Sequence, residues 1–296
     1  MKPRATNQCP PGFHDVLLVG QGGLATQAAR HLRSITPSVT QVDRPDQVTD
    51  VASDSVERSA LEGMTVVIAT DPYPPSFGAR LRRKHRARKF ASNYATLVRT
   101  ARDFGADRLI ACSTAFLYAD DGAVPLDPSL SPIDPAAETV AANAAEGAAE
   151  LFSTLGGQSV VLRFGWVFGD ADPISAQVVA AARKGWRLIE GRPGSWVETI
   201  AGPDAATAIV AATKAPPGIY NVSDGRPVTQ AAINAVLEEA TGTRLDPLDN
   251  VYWGELGVLF GSSHLLSDTN FGGLTGWRPS GADIRSYLLH AVLQPS

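Results

Sequence analysis

The chain has 296 residues, enough to bury one or two full cores, and 44% of them are hydrophobic against 19% charged. A net charge of -4 and a pI of about 5.7 speak against nucleic acid and anionic membrane as partners; no apolar run approaches the roughly 18 residues of a membrane span. Cys9 and Cys112 make no disulfide framework, the five histidines show no metal-ligand spacing, and the expected location is the cytoplasm.

Residues 1–14 are polar and contain Pro3, Pro10 and Pro11, the composition of a flexible arm. Asp15–Gly20 (DVLLVG) reads as a buried parallel strand, a continuous apolar run stopped by glycine. A helix is expected over Ala25–Leu32, a strand over Val39–Val42 and another over Met64–Ala69. The basic run Arg80, Arg82, Arg83, Lys84, Arg86, Arg88, Lys89 is either a solvated face or a docking patch for phosphate or an acidic partner surface. Then come a helix over Phe90–Phe104, a strand over Arg108–Cys112, an alanine-rich helix over Glu138–Leu155 and a strand over Ser159–Arg163. This alternation is that of an α/β fold, a Rossmann-type doubly wound parallel sheet.

Beyond Gly169 prolines punctuate shorter elements: helices near Ala176–Lys184, Pro203–Thr213, Thr229–Ala240 and Asp283–Leu293, and a strand over Ile219–Val222. The expected organisation is a dinucleotide-binding domain over 15–169 and a smaller C-terminal substrate lobe over 170–296. Segments near 200–225 are expected to return to the first domain.

The turn after the first strand carries the functional signal. Gly20, Gly22, Gly23 and Leu24 lead from strand into helix. Glycine there allows a tight turn and leaves backbone N–H groups and the helix dipole facing a pyrophosphate. Asp43 ends the second strand about 20 residues on, where an acid accepts hydrogen bonds from an adenosine ribose. The plain alternative is a strand–helix corner without a ligand. Asp43 favours NAD, while Arg44 beside it can attract the extra phosphate of NADP.

With these features in place, Val16 to Pro279 resembles the extended short-chain dehydrogenase/reductase superfamily, the NAD-dependent epimerases and dehydratases. Asp50-Val51 is similar to the pair that contacts adenine in that family, and Leu61-Glu62-Gly63 with Val66–Ala69 and Thr70 to the segment lying along the cofactor. Asn93-Tyr94-Ala95-Thr96 resembles the family's asparagine helix start. Ser113–Tyr118 resembles its serine-rich strand end, and Leu162–Gly169 its loop near nicotinamide and substrate. Pro203–Ala206, Tyr220–Val222 and Gly276–Pro279 are similar to its C-terminal landmarks.

Two departures stand out. Thr26 replaces the third glycine of the phosphate turn. The family's catalytic pair is a tyrosine four residues before a lysine that lowers its pKa, and no tyrosine here has a lysine at that distance. The matching helix positions are Ala142 and Glu146, as in atypical members of the superfamily.

The resemblance leaves Thr114 as a hydroxyl for substrate or a strand-end cap, and Tyr118 as a structural aromatic or an acid. Glu138 and Glu146 are general acids or bases, or ordinary helix charges. Phe116, Gly165 and Trp166 are expected to line the substrate side, with Trp166 either stacking on a ligand or filling core. The implied function is an NAD(P)-binding, atypical enzyme acting on a small organic or sugar-nucleotide-like substrate. The alternatives are an inactive dinucleotide sensor and a cofactor-independent isomerase or cyclase using the same cleft. A homodimer through the small-residue helix Ala142–Phe152 is a further expectation.

Overall fold

Runs expected to be buried strands form one parallel sheet in the computed structural model, which describes residues 16–36, 38–47, 63–69, 83–136, 139–189, 191–247 and 260–294. The chain begins β1 (Val16–Val19), α1 (Gly22–Ile35), β2 (Val39–Val42), β3 (Thr65–Ile68), α2 (Arg83–Asp103), β4 (Arg108–Thr114), α3 (Val140–Thr154) and β5 (Gln158–Phe164). It continues through β6 (Trp166–Phe168), α4 (Pro173–Ala182), β7 (Trp186–Arg187), β8 (Trp196–Val197), β9 (Thr199–Ala201), α5 (Gly202–Ala212) and β10 (Gly218–Val222). The last elements are β11 (Val228–Thr229), α6 (Gln230–Thr241), β12 (Asp246–Pro247), α7 (Phe271–Thr275) and α8 (Ile284–Leu293).

The main sheet has six strands in the order β10-β5-β4-β3-β1-β2, every pair parallel. Both faces are covered, which is why its strands read as unbroken apolar runs. Val16 and Leu18 point to a core shared with α1 and α5, while Leu17 and Val19 point to one shared with α2 and α3. Helix α3 can lie close to α2 because its packed face is largely alanine: Ala141, Ala145, Ala148 and Ala149 are buried. A third cluster joins α4, α6 and α8 around Phe168, Ile174, Val178, Leu237 and Leu288.

Several boundaries differ from the sequence expectation, among them α1, which runs Gly22–Ile35 rather than Ala25–Leu32. Helix α2 starts at Arg83, two turns before Phe90, so the basic run from there is helical. Lysine and arginine are good helix formers but give no apolar period to read. Helix α4 starts at Pro173, before Ala176; Asp172 caps it by accepting from the Ser175 N–H, and proline suits the first helical turn. Residues 1–15, with the expected arm, and Arg80, Arg82, Asp50, Val51, Thr70 and Glu138 lie outside the described residues. Among those described, no helix is long and apolar enough to cross a membrane and no His/Cys/Asp/Glu group could hold a metal.

Candidate functional site

The parallel sheet presents its carboxyl edge at Gly20, Asp43, Ala69, Thr114 and Gly165, where open α/β sheets bind ligands. After β1, Gly20 has φ 153° and Gly22 φ 92°, conformations that disfavour a side chain. The Gly20 N–H donates to Val42 O at 2.9 Å, holding the turn beside the end of β2. Gln21 stands at the N-cap of α1 without a side-chain cap, and the first turn contains no acid. The leading N–H groups therefore keep their positive end toward the edge, and Gln21 and Gly22 are exposed there. This donor set fits a diphosphate.

The inner side of the turn is tight. A Cβ on Gly23 would lie 2.3 Å from Ala171 O, so the Gly169–Asp172 loop sits against the glycine. A recess of about 30 Å³, bounded by Gly23, Leu24, Gln27, Gly169, Asp172 and Gly202, remains between them. Thr26 is accommodated without strain: its hydroxyl donates to Gly22 O at 2.8 Å along the helix. Asp43 and Arg44 are held by their backbone N–H groups, which both donate to Gln47 Oε1 at 2.9 and 3.0 Å. Val42 pairs in register with Val19, which places Asp43 one strand from Gly20. Ala69 is buried with its N–H on Val19 O, and Asn93 is half-buried on α2.

Where the resemblance puts tyrosine and lysine, α3 carries Ala142, buried, and Glu146. Arg163 of β5 takes both carboxylate oxygens of Glu146, Nε to Oε1 at 2.9 Å and Nη2 to Oε2 at 2.7 Å; the Ser113 hydroxyl adds a bond to Oε1 at 2.5 Å. Burial works against the guanidinium charge, but the Glu146 hydrogen bonds and charge outweigh it and raise the arginine's pKa. Arg163 also lies 4.6 Å from the Tyr118 ring centroid. The Tyr118 hydroxyl donates to Asn221 Oδ1 at 2.8 Å, and Asn221 Nδ2 donates to Leu126 O. Burial raises the phenol's pKa despite the neighbouring Arg163 charge. Glu146 and Tyr118 thus belong to one buried polar chain that ties α3, β5 and β10 together.

Thr114 is buried, and its Oγ1 accepts from the Phe116 N–H at 3.2 Å, capping a short 3-10 turn. Phe116 and Trp166 are buried in an aromatic cluster with Phe260 and His264, at edge-to-face centroid distances of 5.0–5.2 Å. Trp166 Nε1 donates to Asp172 Oδ2 at 3.1 Å, tying the ring to the loop beside the glycine turn. Gly165 lies against backbone, since a Cβ there would meet Glu198 O at 2.5 Å. Gly165→Ala should therefore lower stability by about 1–3 kcal/mol through overpacking, read from urea denaturation.

One edge residue escaped the sequence reading. Glu198, between β8 and β9, is only 4% exposed. Its backbone carbonyl accepts from Trp166 N and its Oε1 from Leu266 N, while Oε2 has no hydrogen-bond partner among the described residues. Burial, with a smaller push from Asp224, drives its pKa up to about 7; the Leu266 N–H and Ser223 hydroxyl offset only part of this. Its signal was a lone acid inside the apolar run Trp196–Ala201.

No protein-family model matches the chain, and no curated protein sequence matches it. Solved structures do. UDP-glucose 4-epimerase of Thermotoga maritima, with UDP-glucose, superposes with a TM-score of 0.70 at 15% identity, covering 94% of this chain and 97% of that one. UDP-glucose 4-epimerase of Thermus thermophilus, complexed with NAD, gives 0.67 at 17% identity over 94% and 97%. RMD of Pseudomonas aeruginosa, complexed with NADPH, gives 0.67 at 17% over 94% and 98%. This chain has their fold. The Rossmann-type parallel sheet expected from the glycine turn is the sheet observed.

Proposed function

We propose that the chain is an NAD(P)-binding protein of the epimerase/dehydratase kind, acting on a small organic or sugar-nucleotide-like substrate by a mechanism without the tyrosine–lysine relay. The observation that carries this is the uncapped, acid-free start of α1 behind Gly20 and Gly22, with Asp43 one strand away. Gln21, Gly22 and Leu24 would offer backbone donors to the diphosphate, and Asp43 would accept from the adenosine ribose. The nicotinamide, when bound, supplies hydride chemistry. Asp50, Val51, Thr70 and Asn93 belong to the same proposal.

The proton step is where this chain parts from the resemblance. Both carboxylate oxygens of Glu146 are bonded, by Arg163 and by the Ser113 hydroxyl, so the carboxylate ties two strands and a helix together. That favours a second reading, a dinucleotide sensor without turnover, which binds the same cofactor. A homodimer through α2 and α3 is part of the proposal, checked by light scattering in solution.

Gln21→Asp tests the cofactor site with two readouts of opposite sign. An aspartate at the N-cap accepts from the first free N–H groups and should raise stability by about 1 kcal/mol. Its negative charge beside the diphosphate should weaken NADH and NADPH binding about tenfold or more, followed by nucleotide fluorescence. Unchanged binding of both nucleotides would remove the glycine turn as the cofactor site. If wild type binds and a substrate screen finds none that oxidises bound NADH, the sensor reading stands.

A further inference from the structure

The chain that follows β6 folds back onto the glycine turn. Gly169, Asp170, Ala171 and Asp172 form a tight turn of their own, closed by the Asp172 N–H on Gly169 O at 3.0 Å. Gly169 has φ 144°, yet nothing lies within 4 Å of where its Cβ would stand, so glycine serves the bend there and not a close approach. The tip reaches Gly23, and the Ala171 carbonyl leaves no room for a side chain between them. Gln21 and Gly22 are exposed on the outer side of the glycine turn, whereas Leu24 is buried and lines the recess that remains. That recess, about 30 Å³, suits water and not a diphosphate.

What the turn brings to Gly23 opposes an anion: a carbonyl oxygen, flanked in sequence by Asp170 and Asp172. Its two ends are held differently. Asp172 is fixed at the base, where its Oδ2 accepts from Trp166 Nε1 and from the Ser175 N–H and hydroxyl. The tip is lightly held. Asp170 and Ala171 are exposed, so moving them uncovers little apolar surface. The side-chain tie on the tip is the hydrogen bond from the Tyr287 hydroxyl of α8 to Asp170. The Tyr287 ring itself packs on Phe168, with centroids 5.5 Å apart.

We propose that the Gly169–Asp172 turn is a gate on the glycine turn: closed, it withholds the inner donors of α1, and a dinucleotide seats its diphosphate only when the tip leaves Gly23 and Tyr287. The inference rests on the dinucleotide reading above and adds a control to it. Gly169 and the anchored Asp172 are the two ends of the moving segment. Apparent affinity then falls by the fraction of molecules whose gate stands open, so loosening the latch tightens binding without any new contact to the nucleotide.

The experiment is a fluorescence titration of the full chain with NADH and with NADPH, in wild type, Tyr287→Phe, Asp170→Ala and the double variant. Phenylalanine keeps the ring on Phe168 and removes only the hydroxyl; alanine at the exposed tip removes the other end of the same bond and one negative charge. Each single variant should bind both nucleotides about three- to tenfold tighter than wild type, and the double no tighter than Asp170→Ala alone. Amide exchange of wild type supplies a second readout: saturating NADH should slow exchange over Gly22–Ala28 and speed it over Gly169–Asp172. Affinities unchanged or weakened in both single variants overturn the gate, as does slower exchange over Gly169–Asp172 on binding; either result leaves the dinucleotide reading intact. Binding by the variants but not by wild type supports both. Binding of neither nucleotide to wild type or to any variant overturns both.

Discussion

Arg163→Met should destabilise the protein by about 3–5 kcal/mol, among the larger effects available to one substitution. The side chain of Arg163 is 4% exposed and that of Glu146 12%, so the substitution strands a largely covered carboxylate with only the Ser113 hydroxyl beside it. It also removes the cation from the Tyr118 ring. The pair itself is worth much less than this loss, because desolvation of both charges offsets their attraction. Glu146→Leu/Arg163→Met should therefore recover most of the stability lost by Arg163→Met, and urea unfolding of both singles and the double measures the coupling. Strictly additive losses would mean that the two side chains do not act as a unit. The double variant also reports on function: if NAD(P)H binding survives in it, Glu146 and Arg163 are architecture, not part of the cofactor site.

The strands were legible because both faces of the sheet are covered. Val16–Val19, Val66–Ile68 and Leu109–Cys112 are buried throughout and hence apolar throughout. The glycine turn was legible because its requirement is local, a positive φ at Gly20 and Gly22. Glu146 could be placed on its helix from sequence, but not given a partner. Arg163 is 17 residues away, and their meeting depends on how α3 settles over β5. Trp166 was open between ligand stacking and core; its ring is fully buried and its Nε1 donates to Asp172, a contact six residues on that no periodicity announces. The corner where α2 meets Pro45–Gln47 joins segments almost 40 residues apart, beyond any local period. Local rules wrote the edge of the sheet; what crosses it was set by packing.

Glu198→Gln should change how stability depends on pH, growing steadily more favourable against wild type as pH rises. The folded carboxyl has its pKa raised to about 7 from an ordinary 4.5, so between those values the folded state holds a proton that the unfolded state has released. Stability from this group is complete below about 4.5 and is lost as pH rises through 7, an interval worth up to about 3 kcal/mol. His264 has the opposite sign: burial pushes its pKa down to about 4 from 6.5, so its contribution is complete above 6.5 and is lost as pH falls through 4. Over pH 4.5–6.5 the two slopes oppose each other and wild type should respond weakly at these sites. Glutamine keeps an oxygen for the Leu266 N–H and never ionises, so it exposes the histidine limb alone. Urea unfolding at pH 5, 6.5 and 8 should show the variant gaining on wild type at each step, by up to about 3 kcal/mol in all. Parallel curves would mean that Glu198 enters the folded protein already ionised, and the carboxyl edge of β5 and β10 would then hold a stable buried charge.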